Sequence, residues 1–397
     1  MKRKSIRKFV NNLHLWFGLG SGIILFVVCL TGTIYTFRAE IERWVEPAKY
    51  YSSVQRENRL SADSIVSMVE AAKQAKVTAF TVPSDASLNW QVTAKKQAAG
   101  KQPKAKVEGG AKPKTYFVNP STGLIEGEQG GSTSEFFTTV MQLHRWLLME
   151  DYGGRIIVGV ATLIFVFMLL SGLVLWFPAK LRLIRQVLTV KTSANWKRVN
   201  HDLHNTLGFY SFIVLLVMAL TGLCWSFEWY RDGMSDVLGA KVFRGRGEKP
   251  MQSQIPARHQ NTASLQLLVT SSTQLFPYTG NLRFSIPEND SNAVVATKIA
   301  TGFFASTGSD KVQFDRYTGS AIKIERFSDK PLNVKIADSI RPIHTGEIFG
   351  TFSKLIYLIT CLIATSLPVT GTMIWLNKMK KNDKPAKTHR IKTEELV

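Results

Sequence analysis

Four stretches of the chain lose almost all their polar residues, about Leu13 to Phe37, Ile156 to Phe177, Leu207 to Phe227 and Phe349 to Leu376. Each is roughly 20 residues or longer and, apart from Lys354, carries no charge, which is the length and composition an α-helix needs to cross a ~30 Å hydrocarbon core. The first run is too long for a secretory h-region and continues into "RAEIERW" without a small-residue cleavage site, so it reads as an anchor. Between the runs the pattern changes. "LNWQVTA", "TYFVN", "NLRFSIP", "AVVATKIA" and "KVQFDR" alternate or cluster β-formers between turn residues, and a helical stretch at about Ala62 to Ala75 precedes the first of them. "VNPSTGLI" and "FDRYTGSAI" share a turn in which Thr-Gly follows Asn or Asp, as suits a glycine at positive φ.

The apolar pattern is also duplicated. "NLHLWFGLGSGIILFVVCLTG" (Asn12 to Gly32) and "DLHNTLGFYSFIVLLVMALTG" (Asp202 to Gly222) both open on Leu-His, place a glycine four residues after the histidine (Gly18, Gly208) and close on Thr-Gly. The second and fourth runs end alike, on "SGLVLW" and "TGTMIW", with His144 and His344 upstream. The fold class this predicts is membrane α-helical: four transmembrane helices as a two-fold internal repeat, with two external α+β domains. The expected boundaries are a cytoplasmic N-terminus 1–12, spans 13–37, 155–177, 205–227 and 349–376, external domains 38–154 and 228–348, a basic cytoplasmic loop 178–204 and a cytoplasmic tail 377–397. The Lys/Ala/Gly-rich stretch 94–114 reads as a flexible insertion in the first external domain.

Composition adds the orientation. The 397 residues are 45% apolar yet carry a net charge of +21. Residues 1–12, 178–204 and the tail after Leu376 together hold eighteen Lys and Arg against four Asp and Glu, so +14 of that charge flanks the apolar runs. By the positive-inside rule those three segments are cytoplasmic and the two long segments lie on the other side. The basic charge is topological, without the interleaved aromatics of a nucleic-acid platform, and no nucleic-acid partner is expected. Trp16, Trp146, Trp176 and Trp375 read as aromatic-belt residues at the two surfaces.

Four of the seven histidines occupy matched ends of the repeat: His14 and His204 on the cytoplasmic side, His144 and His344 on the other. A b-type haem takes two imidazoles on one iron, an apolar slot and small residues where the macrocycle meets helices. Two such pairs point to two haems b, with Gly18, Gly208, Gly32, Gly222, Gly172 and Gly371 giving clearance. The absence of Cys-x-x-Cys-His excludes covalent c-type attachment. His201, one turn before His204, is open as an alternative ligand, a propionate contact or a loop residue, and Arg145 and Arg341 as contacts to propionates or to an anionic chelate, or as plain interfacial arginines. The competing readings are interfacial histidines without a ligand, helix-packing glycines, and zinc, for which Cys29, Cys224 and Cys361 lie inside spans rather than beside the histidines.

These residues carry a resemblance. "LHLWFGL" with its later "LTG", "LHRWLL" followed by "GRIIVGVATLIFVFMLLSGLVLWFP", "DLHNTLGFY" and "IHTGEIFG" resemble the PepSY-associated transmembrane proteins, which include iron-regulated inner-membrane proteins and ferric-siderophore reductases of Gram-negative bacteria. The resemblance covers essentially the whole chain. It implies periplasmic PepSY-like modules, bearing the "NPSTG" and "DRYTG" turns, and two bis-His haems b, with His14 and His204 as inner and His144 and His344 as outer ligands. The function it implies is an inner-membrane oxidoreductase that passes electrons to a ferric siderophore, releasing Fe(II). Fe(III) is the better guest for hard oxygen ligands, so one-electron reduction loosens the complex. The tail lacks a Gly-rich fingerprint, so the expected electron donor is a separate cytoplasmic or membrane partner. Two rival functions stay open: a membrane-anchored PepSY binding or regulatory module without redox activity, and a di-haem protein with another acceptor or a role in quinol oxidation.

Overall fold

The computed structural model describes residues 3–55, 58–96, 112–178, 180–243, 250–254 and 261–382. Most of the expected insertion (97–111), His259 and the tail from residue 383, with His389, lie outside the described residues. Eight helices matter here: α1 (Arg3–Thr36), α2 (Ala62–Lys73), α3 (Ser132–Trp146), α4 (Gly154–Trp176), α5 (Trp196–Ser226), α6 (Leu265–Leu275), α7 (Leu332–Thr345) and α8 (Gly350–Asn382). Eight strands accompany them: β1 (Ala75–Val82), β2 (Trp90–Lys96), β3 (Lys114–Val118), β4 (Ile125–Glu128), β5 (Gly280–Ser285), β6 (Val294–Ala300), β7 (Ser309–Phe314) and β8 (Ala321–Glu325).

Helices α1, α4, α5 and α8 are long and apolar enough to cross a membrane, and the chain is a multi-pass membrane protein. Three of them outrun the apolar pattern. α1, α5 and α8 continue into the basic flanks because Lys, Arg and Asn there neither break a helix nor need burial. Residues 196–204, expected as loop, are therefore the first turns of α5. α4 stops at Trp176 because Phe177 precedes Pro178 and takes an extended conformation. Within the first compact unit (1–32, 144–220 and 359–397) the spans meet around Leu169, Leu215 and Ala364, with Cys29 against them.

The second unit (33–143 and 221–358) contains the strands, and here the expectation of two separate external domains is corrected. All eight strands form one antiparallel sheet in the order β4-β3-β2-β1-β5-β6-β7-β8. Its seam is the pairing of β1 with β5, where Phe80 lies opposite Phe284. The two rings stack with centroids 4.7 Å apart, and both are buried. Each such side chain contributes about 1.5–3 kcal/mol on burial. α2 and α6 bury Ile65, Val69 and Leu268 in the same core. Their N-termini satisfy one another: the Asp63 carboxylate accepts from the Leu265 and Gln266 backbone N–H and the Ser264 hydroxyl, while the Gln266 side-chain oxygen accepts from the Ala62 N–H. Each half alone would leave those amides and the Phe80/Phe284 face open, which is why the halves share one sheet.

The two repeated turns form as their sequence demands. Gly123 and Gly319 have φ of +74° and +71°, and the Asn119 and Asp315 side chains accept from main-chain amides two residues on. Lys354, the lone charge in the apolar runs, is held by Glu40 at 2.6 Å and lies over the Phe37 ring, so it is neutralised where α8 begins.

Candidate functional site

All four histidines sit in the same kind of seat. His14 on α1 rests against Gly172 of α4, where an added Cβ would stand 3.4 Å from the ring Cε1. His204 on α5 rests against Gly371 of α8 at 3.2 Å. His144, at the C-terminal end of α3, meets Gly32 at 3.2 Å, and His344, at the end of α7, meets Gly222 at 3.0 Å. An added Cβ would press on the ring at Gly371, Gly32 and Gly222 and come into contact with it at Gly172. The hydroxyl residue before each glycine then addresses the same ring nitrogen: Nδ1 lies 2.8 Å from Ser171 Oγ for His14, 2.9 Å from Thr370 Oγ1 for His204, 3.4 Å from Thr31 Oγ1 for His144 and 3.2 Å from Thr221 Oγ1 for His344.

These contacts set the tautomer. Ser171 Oγ donates to the Met168 carbonyl, and Thr370 Oγ1 to the carbonyls of Ser366 and Leu367, so both hydroxyl protons are already engaged and the oxygens accept from Nδ1–H. For His144 the Val28 carbonyl, which can only accept, stands 2.9 Å from Nδ1. Burial holds its ring below the ordinary imidazole pKa, against the raising effect of the Val28 contact. In His14 and His204 a proton on Nδ1 leaves the Nε2 lone pair as the donor, the arrangement by which an outer partner orients a metal-ligating histidine. The sequence reading assigned the Thr-Gly and Ser-Gly pairs to clearance around a cofactor. The structure gives them to the histidine itself, the glycine making room for the ring and the hydroxyl turning it.

The inner pair converges on one cavity of about 620 Å³ within the first unit, lined by both His14 and His204. Its walls are apolar, with Phe165, Met168, Leu169, Phe209, Phe212 and Leu367, and its volume falls within the ~300–1,000 Å³ of cofactor pockets. Lys8 and Lys378 also line it. Gly18 keeps a wall thin: a Cβ there would stand 2.9 Å from the Met168 methyl. Gly208 lines the cavity too, and an added Cβ there would only reach ordinary contact with Leu367. His14 and His204 in one apolar-walled space would suit a bis-His haem b, with Lys8 and Lys378 offering charge to its propionates. No group of three or more His, Cys, Asp or Glu side chains suited to a lone metal ion occurs among the described residues.

The remaining candidates separate. His201 lines the cavity but has half its side chain exposed and no Ser/Thr-Gly seat; Asn205 Nδ2 is 3.3 Å from its ring nitrogens. The Arg145 guanidinium lies over the Trp146 ring at 4.4 Å, and Arg341 is exposed one turn before His344. Trp176, expected at a lipid surface, is instead buried, stacked on Phe209 at 3.7 Å and lining the cavity, with Nε1 donating to the Val187 carbonyl. Sequence reasoning also missed Arg7, which caps the end of α4 by donating to the carbonyls of Leu175 and Phe177, and Asn200, whose amide donates to the Thr370 carbonyl. Arg7 stood among five basic residues with nothing to single it out.

Removing the orienting hydroxyls tests the seat. Ser171→Ala or Thr370→Val is expected to weaken haem binding by about 10–100-fold, the usual effect of losing an outer hydrogen bond to a metal-ligating histidine. Haem titration into the apo-protein, followed by its absorption band, reads this; unchanged affinity in both variants would remove the hydroxyls from the site.

Comparison with known proteins gives one assignment. No curated protein matches the chain. The model of the PepSY-associated TM region matches residues 12–378, nearly the whole length, including all four seated histidines and both halves of the sheet. The chain belongs to the PepSY-associated TM region family.

Proposed function

We propose that this protein is a di-haem b electron conduit of the inner membrane that reduces ferric siderophore on the periplasmic side, with both termini in the cytoplasm. The observation that carries the reading is the inner cavity: two imidazoles lining one apolar space, each seated on a glycine and turned by a hydroxyl. His14 and His204 would hold the inner haem. The same kind of seat recurs around His144 in the first unit and around His344 in the second, and these two are proposed as the ligands of the outer haem. Haem b supplies a one-electron Fe(III)/Fe(II) couple, which is the chemistry such a conduit needs. The chain's own contribution is to hold the rings in one tautomer, to keep water from the apolar walls and to offer cations to the propionates.

Periplasmic placement of the sheet rests on the charge of the flanks, since the positive-inside rule favours the cytoplasm for the basic ends. Ferric siderophore as acceptor rests on the family and on the chemistry of release: reduced iron is held weakly by hard oxygen donors. The direct test mixes the dithionite-reduced, desalted protein with a ferric hydroxamate chelate and an Fe(II)-trapping dye. Re-oxidation of the haem bands with matching Fe(II) release is the expected result. Haem bands that stay reduced over minutes with several such chelates would reject the acceptor while leaving the haem sites standing.

A further inference from the structure

We propose that the connection between β6 and β7, together with the first turn of α8, is seated in the lipid headgroup layer on the side of the sheet and fixes that rim of the sheet to the membrane. The connection carries Phe303 and Phe304, 50% and 69% exposed, in an uncharged run from Thr301 to Thr307. Phe349 and Phe352, 56% and 41% exposed, join them. The Phe304 ring lies 4.7 Å from that of Phe303 and 5.1 Å from that of Phe352, so these three rings form one cluster. In water this would be an unusually large apolar surface for a loop.

Its height is set by the chain. Phe352 is the third residue of α8, a membrane-spanning helix, and its backbone N–H donates to the Phe303 carbonyl at 3.0 Å. Gly350, at φ +62°, lets the two backbones meet, since a Cβ there would run into the Gly302 carbonyl. The loop is thus tied to the point where α8 enters the bilayer, which selects lipid as the occupant. Aromatic rings with an uncharged backbone suit that interface. Two other spans repeat the device: the short helix Arg38–Val45, one residue after α1, exposes Trp44, and Glu228–Leu238, one residue after α5, exposes Trp229. Amphipathic helices placed directly after a span lie along the interface.

The test uses the full-length protein in phosphatidylcholine vesicles, with Phe304→Cys or, separately, Phe303→Cys carrying a bimane label. Glu288→Cys, in the β5–β6 connection at the other end of β6, is the control, and the unsubstituted chain measures background labelling of its three cysteines. Spin-labelled phosphatidylcholine should quench the label at either phenylalanine position severalfold more than at residue 288, and aqueous iodide should do the reverse. Iodide quenching at both phenylalanine positions equal to that at residue 288, with no response to spin-labelled lipid, would overturn the proposal.

Discussion

Alanine in place of His204 or of His14 is expected to remove the inner haem and leave the outer one, lowering the content from about two haems per chain to about one. Each ring reaches the same cavity from a different spanning helix, α5 or α1, and each supplies one Nε2. With one ring gone the cavity keeps a single imidazole to hold the haem and gains a void the size of an imidazole between apolar walls. His201 will not substitute, because it is half exposed and has neither the glycine nor the hydroxyl that seats the others. Electron passage across the membrane should stop in both variants, measured as the loss of external ferric-chelate reduction by vesicles containing trapped dithionite. His201→Ala should retain both haems. A His204→Ala protein with an unchanged haem content would reject the inner pair.

Valine in place of Gly371 or Gly172 is expected to have nearly the same effect, although neither glycine is a ligand. An added Cβ would stand 3.2 Å from His204 Cε1 at Gly371 and 3.4 Å from His14 Cε1 at Gly172, which leaves little room for the two further methyls of valine beside the ring. The ring must then leave its seat and the hydroxyl that fixes Nδ1, and overpacking of this kind costs about 1–3 kcal/mol even before the lost ligation is counted. Gly20 supplies the control. It lies on α1, two residues past Gly18, exposed and with nothing within 4 Å of an added Cβ, so Gly20→Val should leave haem content and stability unchanged. Absorption spectra of the three purified variants give the answer. Full haem in Gly371→Val would mean that the glycine is a helix-packing residue and the seat is incidental.

Much of this was legible in the sequence, for physical reasons that also mark where legibility ended. A span must be apolar for about 20 residues, so α1, α4, α5 and α8 announced themselves, and duplication of Leu-His and Thr-Gly brought out four histidines. Which face of the Thr-Gly mattered was hidden, because the partner ring lies on another helix: Thr370 and His204 are 166 residues apart. β2, β3, β5, β6 and β7 were read singly as strands, while the short β4 and β8 after the repeated turns were not; and a strand's pattern does not name its neighbour, so the join of β1 to β5 could not be seen. β1 itself was missed because a bulge between Val77 and Ala79 breaks its alternation, placing two residues where the period allows one. Trp176 was misplaced for a related reason: an aromatic at the end of a span suits lipid and a cofactor wall equally well, and only its stacking on Phe209 decides.

The account stands most directly on haem content. A pyridine-haemochrome assay with a dithionite-reduced-minus-oxidised spectrum, on protein purified from haem-replete cells, should give about two haems b per chain with the sharp bands of bis-His low-spin iron. A colourless protein, or one whose spectrum is unchanged when His14, His204, His144 and His344 are replaced by alanine one at a time, would contradict it and leave the seated histidines as structural elements of a membrane-anchored binding module.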